Sequence, residues 1–233
     1  MITVIIAAKD ADRWIKKSIQ SLLNQTFTDW ECIVSINGSF DNTESVIESI
    51  NDKRIRIIKS KIPNKSLAVN RAIIDSKKDF ICILDADDMW HSKKLEMQMK
   101  HFRMNSNVDI LGTQMIYVDE NDDPLRNHVA PLLPINHDEC VAWLNDRNNP
   151  IANSSVMYKK YIHDIIGYYD PEKFAVEDYD MWMRAKRMNL KFFNLDQICL
   201  FHRIHVSSNF NSTNKQKIYK DLIDQINYFY SKF

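Results

Sequence analysis

Glycine is the scarcest informative residue in this chain. Among 233 residues only Gly38, Gly112 and Gly167 occur, too few and too far apart to build GxGxxG or GxxxxGK[ST]. The common dinucleotide fingerprint and the P-loop are therefore excluded, and a phosphate bound here needs another source of positive charge. Net charge is also absent, with 31 Lys and Arg against 31 Asp and Glu. That removes the electrostatic footprint expected of a nucleic-acid partner. The four cysteines, Cys32, Cys82, Cys140 and Cys199, are scattered without a CxxC pair. Neither a zinc site nor a disulfide framework follows from them, and their spacing fits a reducing compartment. The opening Ile2–Ala8 run has no basic flank and is too short for a signal sequence or a membrane span. The expectation is a cytoplasmic protein without a span. Its 45% hydrophobic and 27% charged residues are ordinary for a globular chain, and its length suits one domain with a small appendage.

What is present is a regular alternation. Ile2–Ala8, Trp30–Ile36, Ile55–Ile58 and Phe80–Leu84 are short apolar runs rich in β-branched residues, which predicts buried strands. Between them, Trp14, Ile15, Ser18, Ile19, Leu22 and Leu23 recur at helical spacing, and helices are predicted through Val46, Ile47 and Ile50 and over Leu67–Ile74. Asp41, Asn42 and Thr43 are cap candidates for the second of these helices, and Ser92 for a later one carrying Leu95, Met99 and Phe102. Strand–helix alternation implies βαβ units and a parallel sheet.

The second half is less regular. A strand is predicted over Ile110–Val118, a long loop from Asp123 to Pro150, and strand-like order from Asn153 to Tyr158. A helix follows over Asp178–Met188, then strands at Phe192–Leu195 and Leu200–His205. From Lys215 onward Tyr219, Leu222, Ile223, Ile226, Phe229, Tyr230 and Phe233 form an apolar stripe. Packing on its own domain, pairing with a second copy and contact with a membrane surface are its three readings, in that order of weight.

The Phe80–Leu84 run ends in Asp85-Ala86-Asp87-Asp88-Met89-Trp90. Three carboxylates within four positions raise one another's pKa unless a cation joins them. Carboxylate oxygens suit Mg²⁺ or Mn²⁺, which keep positions free for water and phosphate. The carboxyl end of a strand in an open α/β sheet is also where ligands usually bind. Asp88 reads either as a further ligand or, preferably, as a cap before Ser92. Trp90 reads equally as the floor of a ligand site or as packing, and Trp182 and Asp180 as structural.

Taken in order, these pieces resemble the family 2 inverting glycosyltransferases. The residues that carry the resemblance are Val4-Ile5-Ile6-Ala7-Ala8, Ser21 to Phe27, Asn37-Gly38-Ser39-Phe40-Asp41-Asn42-Thr43 and Asn70-Arg71-Ala72. They continue with Asp85 to Trp90 and Lys94-Leu95-Glu96, Gly167 to Asp170, and Glu177-Asp178 through Arg184. His202-Arg203-Ile204-His205 and Ser208 complete the set. The match runs to about residue 209.

The resemblance implies an α/β protein of GT-A type, with a Rossmann-like, mostly parallel central sheet flanked by helices and a smaller acceptor-binding part. Residues 1–210 would be the transferase domain, divided into a nucleotide-binding half (1–118) and an acceptor-binding half (119–210), with a C-terminal helix over 211–233. It further implies that Asp85 and Asp87 are the DXD motif, with Asp87 on a divalent cation, Mn²⁺ or Mg²⁺, and Asp85 on the ribose while supporting the metal. His205 would be a third ligand or touch the diphosphate. Asp178, in the Glu177-Asp178 pair, would be the catalytic base. Ala7, Ala8, Asp10, Asn37, Asn70, Arg71 and Ala86 would line the nucleotide. The implied partners are a nucleotide-sugar donor, UDP-linked on this pattern, and a glycan or lipid-linked acceptor in polysaccharide biosynthesis. A homodimer and peripheral contact with the cytoplasmic face of a membrane stay open. The pattern departs from the family where Ala7-Ala8 replaces proline and a small hydroxyl residue, where Ile36-Asn37 replaces two aspartates, and where Asp75 stands in the region of a usual glycine. A sugar nucleotidyltransferase is the rival enzyme, disfavoured by the absence of glycine before Gly38. A non-catalytic sugar-nucleotide or glycan-binding module is the rival of another class.

Overall fold

The computed structural model describes residues 1–206 and 213–232. The early alternation folds as expected. Strand β1 (Ile2–Ala8) leads through α1 (Ile15–Leu23) to β2 (Trp30–Asn37), then through α2 (Thr43–Glu48) to β3 (Ile55–Ser60), and through α3 (Lys65–Asp75) to β4 (Phe80–Ile83). These four strands are parallel, in the order β3-β2-β1-β4. Period-two alternation along β1 divides the core. Val4 and Ile6 face α1 and its neighbours, whereas Ile5 faces the opposite cluster with Val69 and Ala72 of α3. With both sides covered, these strands read as continuous apolar runs rather than alternating ones.

Beyond β4 the sheet turns mixed. A two-residue strand β5 (Met89–Trp90) precedes α4 (Lys94–Met104) and β6 (Ile110–Val118). Helix α5 (His137–Asn145), a 3₁₀ turn at Asn153–Ser155, β7 (Met157–Lys159), α6 (Ile162–Ile166), α7 (Glu177–Arg187) and β8 (Phe192–Arg203) follow. The full order is β3-β2-β1-β4-β7-β6-β8-β5, with β7 antiparallel to β4 and β6, and β6 parallel to β8. Gly112 lies in β6 directly opposite Asn194 of β8: an added Cβ would fall 2.0 Å from Asn194 Oδ1. At Gly38 the chain leaves β2 with φ +75°, a conformation that favours glycine.

Several expectations are corrected. The 123–150 stretch is not all loop, because Asn136 caps α5 by accepting from Glu139 N–H. The two predicted late strands are one strand, β8, with two successive register shifts against β6, on either side of Gln114, that absorb the irregular pattern between them. Ser92 does not cap α4, whose N-cap is Lys93. Asp88 is not a cap either; it is wholly buried and paired elsewhere. Trp90 packs rather than floors an open site: it is 3% exposed, its Nε1 donates to Ser154 O at 2.7 Å, and Lys94 Nζ lies 3.8 Å from its ring centroid. Trp182 is fully buried as expected.

Helix α8 (Thr213–Tyr230) lays Ile223 and Ile226 into the core beside α7, with Tyr219, Leu222 and Tyr230 packed against it. Ser208, Asn209 and Phe233, and the side chain of Lys215, lie outside the described residues. No helix among the described residues is long and apolar enough to cross a membrane.

Candidate active site

The carboxyl ends of β1, β2 and β4 point the same way because the strands are parallel, so the residues leaving them converge. At β1, Ala8 is buried and Ala7 half-buried. Asp10 follows with φ 48°; its Oδ1 accepts from Phe40 N–H at 2.8 Å, tying the first loop to the loop after β2. At β2, Asn37 is 4% exposed, and its Oδ1 is buried without a hydrogen-bond partner among the described residues. A buried carbonyl left unpaired is costly, and so it marks a place for an outside donor.

At β4 the chain turns sharply. Asp88 N–H donates back to Asp85 O, Ser154 Oγ accepts from Asp85 N–H at 3.0 Å, and Ser18 Oγ donates to Asp85 O. This turn separates the three carboxylates. Asp85 takes an ion pair from Lys65 Nζ at 2.8 Å. Asp87 Oδ2 lies 3.0 Å from His205 Nε2. Asp88 accepts from Arg203 N–H at 2.8 Å and pairs with His202 Nδ1 at 3.1 Å. Burial works to raise Asp87, but the His205 hydrogen bond and the His202 charge outweigh it and hold its carboxyl below the ordinary value. Burial opposes the charge on His202, yet Asp88 prevails and lifts the imidazole to about 9. Arg203, fully buried, fastens the assembly by donating to Asp87 O and Asp119 O, with its guanidinium 4.5 Å from the Trp14 ring centroid.

The second acidic group opens α7. Glu177 is 8% exposed and Asp178 half-buried. Asp178 Oδ1 accepts from Tyr179 N–H at 2.7 Å and Oδ2 from Asn149 Nδ2 at 2.8 Å. Burial, followed by the neighbouring Glu177 charge, raises Asp178 to about 7, while the Asn149 bond and Lys65 pull against that rise. Asp180, two residues on, faces elsewhere and pairs with Arg184 at 2.9 Å, as a structural residue should.

Lys65 joins the two acidic groups. Its Nζ is 2.8 Å from Asp85 and 3.6 Å from Glu177. Burial opposes its charge, but Asp85 and Glu177, with Asp178 further off, keep the ammonium firmly protonated. Sequence reading passed over this residue. The one available signal is its place in the first turn of α3, where a cation opposes the helix dipole and needs another reason to be there.

Two expected nucleotide-lining residues are engaged elsewhere. Asn70 spends both ends of its amide on Tyr169, donating to its O at 2.7 Å and accepting from its N–H at 3.0 Å, and so clamps α3 to the segment before α7. Arg71 is exposed and donates to Lys59 O. Ala86, within the acidic turn, is buried. Among the described residues no group of three or more His, Cys, Asp or Glu converges tightly enough to hold a metal alone. Asp87 with His205 offers one carboxylate and one imidazole, a donor pair that suits Mn²⁺ or Mg²⁺ when ligand oxygens fill the other positions.

A sequence model of the family described as glycosyl transferase family 2 matches residues 3–167. The "O-antigen biosynthesis glycosyltransferase WbnJ" of Escherichia coli is 31% identical over 217 residues, covering 89% of this chain and 81% of its own. The "UDP-Glc:alpha-D-GlcNAc-diphosphoundecaprenol beta-1,3-glucosyltransferase WfgD" of Escherichia coli is 28% identical over 219 residues, covering 93% and 81%. Among solved structures, residues 1–349 of TarS from S. aureus in complex with UDP superpose with a TM-score of 0.70 at 17% identity. That likeness shows the GT-A fold. It covers 97% of this chain but 64% of the solved one, so the chain spans slightly less than two thirds of that structure.

Proposed function

Since the chain belongs to glycosyl transferase family 2, we propose that it moves the sugar of a UDP-linked donor onto a hydroxyl of a glycan or lipid-linked acceptor, inverting the anomeric carbon. The observation that carries this reading is the Lys65 bridge, which places the acidic turn after β4 opposite the acidic start of α7. One side is suited to a diphosphate and the other to a proton.

Asp178 supplies the proton acceptor. A carboxylate raised to about 7 is about half ionised at neutral pH and binds a proton far more readily than an ordinary aspartate. The acceptor oxygen attacks the anomeric carbon as its proton passes to Asp178. The bond from that carbon to the diphosphate oxygen breaks, and the nucleoside diphosphate leaves from the opposite face, so a single displacement inverts configuration. Asp87 and His205 would hold a divalent cation. When bound, that cation offsets the charge developing on the leaving diphosphate. The unpaired Asn37 Oδ1 is suited to accept from the imide N–H of uracil. Residues 1–118 would bind the nucleotide and 119–210 the acceptor. The UDP seen with TarS and the donor and diphosphoundecaprenol acceptor in the name of WfgD support a UDP-sugar and a lipid-diphosphate acceptor; such an acceptor would be met at the cytoplasmic face of a membrane.

The test is a panel of nucleotide sugars in thermal shift, with and without Mn²⁺. A UDP-sugar at about 100 times its Kd contributes about 2.7 kcal/mol to the folded state, and the rise should require Mn²⁺. Stabilisation by GDP-sugars alone would overturn the base assignment. No stabilisation by any nucleotide sugar would overturn the donor class.

A further inference from the structure

Lys65 pairs with Asp85 and Glu177 but not directly with Asp178. Its environment is built instead from residues 147–151 and from α8. The Asn149 amide cannot turn freely. Its Oδ1 accepts from Ile151 N–H at 3.3 Å, so Nδ2 is the end that meets Asp178 Oδ2 at 2.8 Å. An N–H in that position favours the ionised carboxylate, because a protonated oxygen there would present a donor to a donor. The other oxygen is held by Tyr179 N–H.

Helix α8 braces both holders. Tyr219 packs against the core on α8 close to Asn149, and burial, together with the nearby Asp178 charge, keeps its phenol protonated. Asn227 Nδ2 donates to Tyr179 OH at 2.8 Å, and Tyr179 OH donates in turn to Leu144 O at 3.2 Å. Arg147, two residues before Asn149, pairs with Asp224 of α8 at 2.7 Å. Ile223 and Ile226 anchor the same helix in the core. The charged and titratable groups that face Asp178 are therefore Glu177 on its own helix, Lys65 on α3, Tyr169 before α7, and Tyr219 on α8, with Asp85 beyond Lys65. Among these elements, Asn149 is the side chain that donates a hydrogen bond directly to the carboxylate.

We infer that Asn149 is a positioning residue, aiming the Asp178 carboxylate and holding it ionised, and that α8 belongs to the active site because Asp224 and Asn227 hold the segment before Asn149 and Tyr179 in place. This rests on the reading of Asp178 as the base. The role differs from simple packing. A structural bond removed from this place would lower the melting temperature. A positioning bond removed from it also changes the proton affinity of one carboxyl.

The experiment is a carboxyl ¹³C NMR titration of Asp178, its resonance assigned by its loss in Asp178→Asn, in the parent, Asn149→Ala, Asn149→Asp and Tyr219→Phe proteins. UDP release from UDP-glucose with Mn²⁺, water serving as acceptor, is followed over the same pH range. In Asn149→Ala the carboxyl should bind its proton about tenfold more tightly, since a hydrogen bond to a charged group is lost. Asn149→Asp should shift it further by adding a like charge, and Tyr219→Phe less, in the same direction. UDP release by Asn149→Ala should fall about tenfold near pH 6 and recover toward about pH 9, with KM for UDP-glucose unchanged. An Asp178 midpoint unmoved in Asn149→Ala and Asn149→Asp, or in Tyr219→Phe should those two fail to fold, overturns the inference. Full UDP release by Asp178→Asn would instead overturn the reading of Asp178 as the base, whatever the Asn149 variants do.

Discussion

Two acidic clusters, one after β4 and one opening α7, are chemically alike and behave in opposite ways. Asp87 is held below the ordinary carboxylate range, while Asp178 is lifted to about 7. Burial pushes both upward, so burial alone does not decide the outcome. Asp87 meets imidazoles from the far end of β8, and their charge outweighs its desolvation. Asp178 meets an uncharged amide and the like charge of Glu177, and Lys65 is spent mainly on Asp85 and Glu177. When neighbours separate the pKa values of two similar groups, they assign them different work. The low one remains an anion suited to a cation and phosphates, and the high one can take up a proton.

The largest expected effect comes from breaking the low side. Asp87→Ala should abolish Mn²⁺-dependent stabilisation by UDP and reduce turnover by more than about 10³-fold, because the leaving diphosphate would be left uncompensated. Isothermal titration with UDP and Mn²⁺ checks this, and unchanged binding would remove Asp87 from the cation site. The high side comes next. Asp178→Asn should cut turnover about 10²–10⁴-fold with donor affinity retained. In the parent, the base is active when ionised, so the rate should fall as pH drops through about 7 and level off above it; the variant should lose this acid limb. A parent profile flat from about pH 5 to 8 would contradict the assignment. The smallest effect tests the link. Lys65→Met removes a charge that lowers Asp178, so the acid limb should move upward, with a loss of about three- to tenfold at neutral pH. If the limb stays in place, the two clusters act independently.

The two clusters were not equally legible in the sequence. The acidic turn after β4 could be read because a short apolar strand ending in Asp85, Asp87 and Asp88 is a local pattern, and its partner strands were visible for the same reason. The pairing of Glu177 with Asp178 was equally visible as text, though an acidic first turn is common in helices. The residues that tune Asp178 were not visible. Asn149 lies in a stretch read as loop, Tyr219 was one aromatic in an apolar stripe, and Lys65 stood unremarked at the head of α3.

By itself, then, the sequence determined the strand–helix alternation that builds a parallel sheet in the first half, the strand end that gathers carboxylates, and the resemblance that the family match bears out. Those features follow from period, propensity and motif, which act over a few residues. Only the tertiary structure decided that Asp88 would be buried against His202 and Arg203 rather than capping a helix, and that Asn70 would clamp Tyr169. It also decided that one lysine would stand between two acidic clusters. The physical reason is that a carboxylate's proton affinity depends on desolvation and on charges a few ångströms away, contributed by elements far apart in the chain.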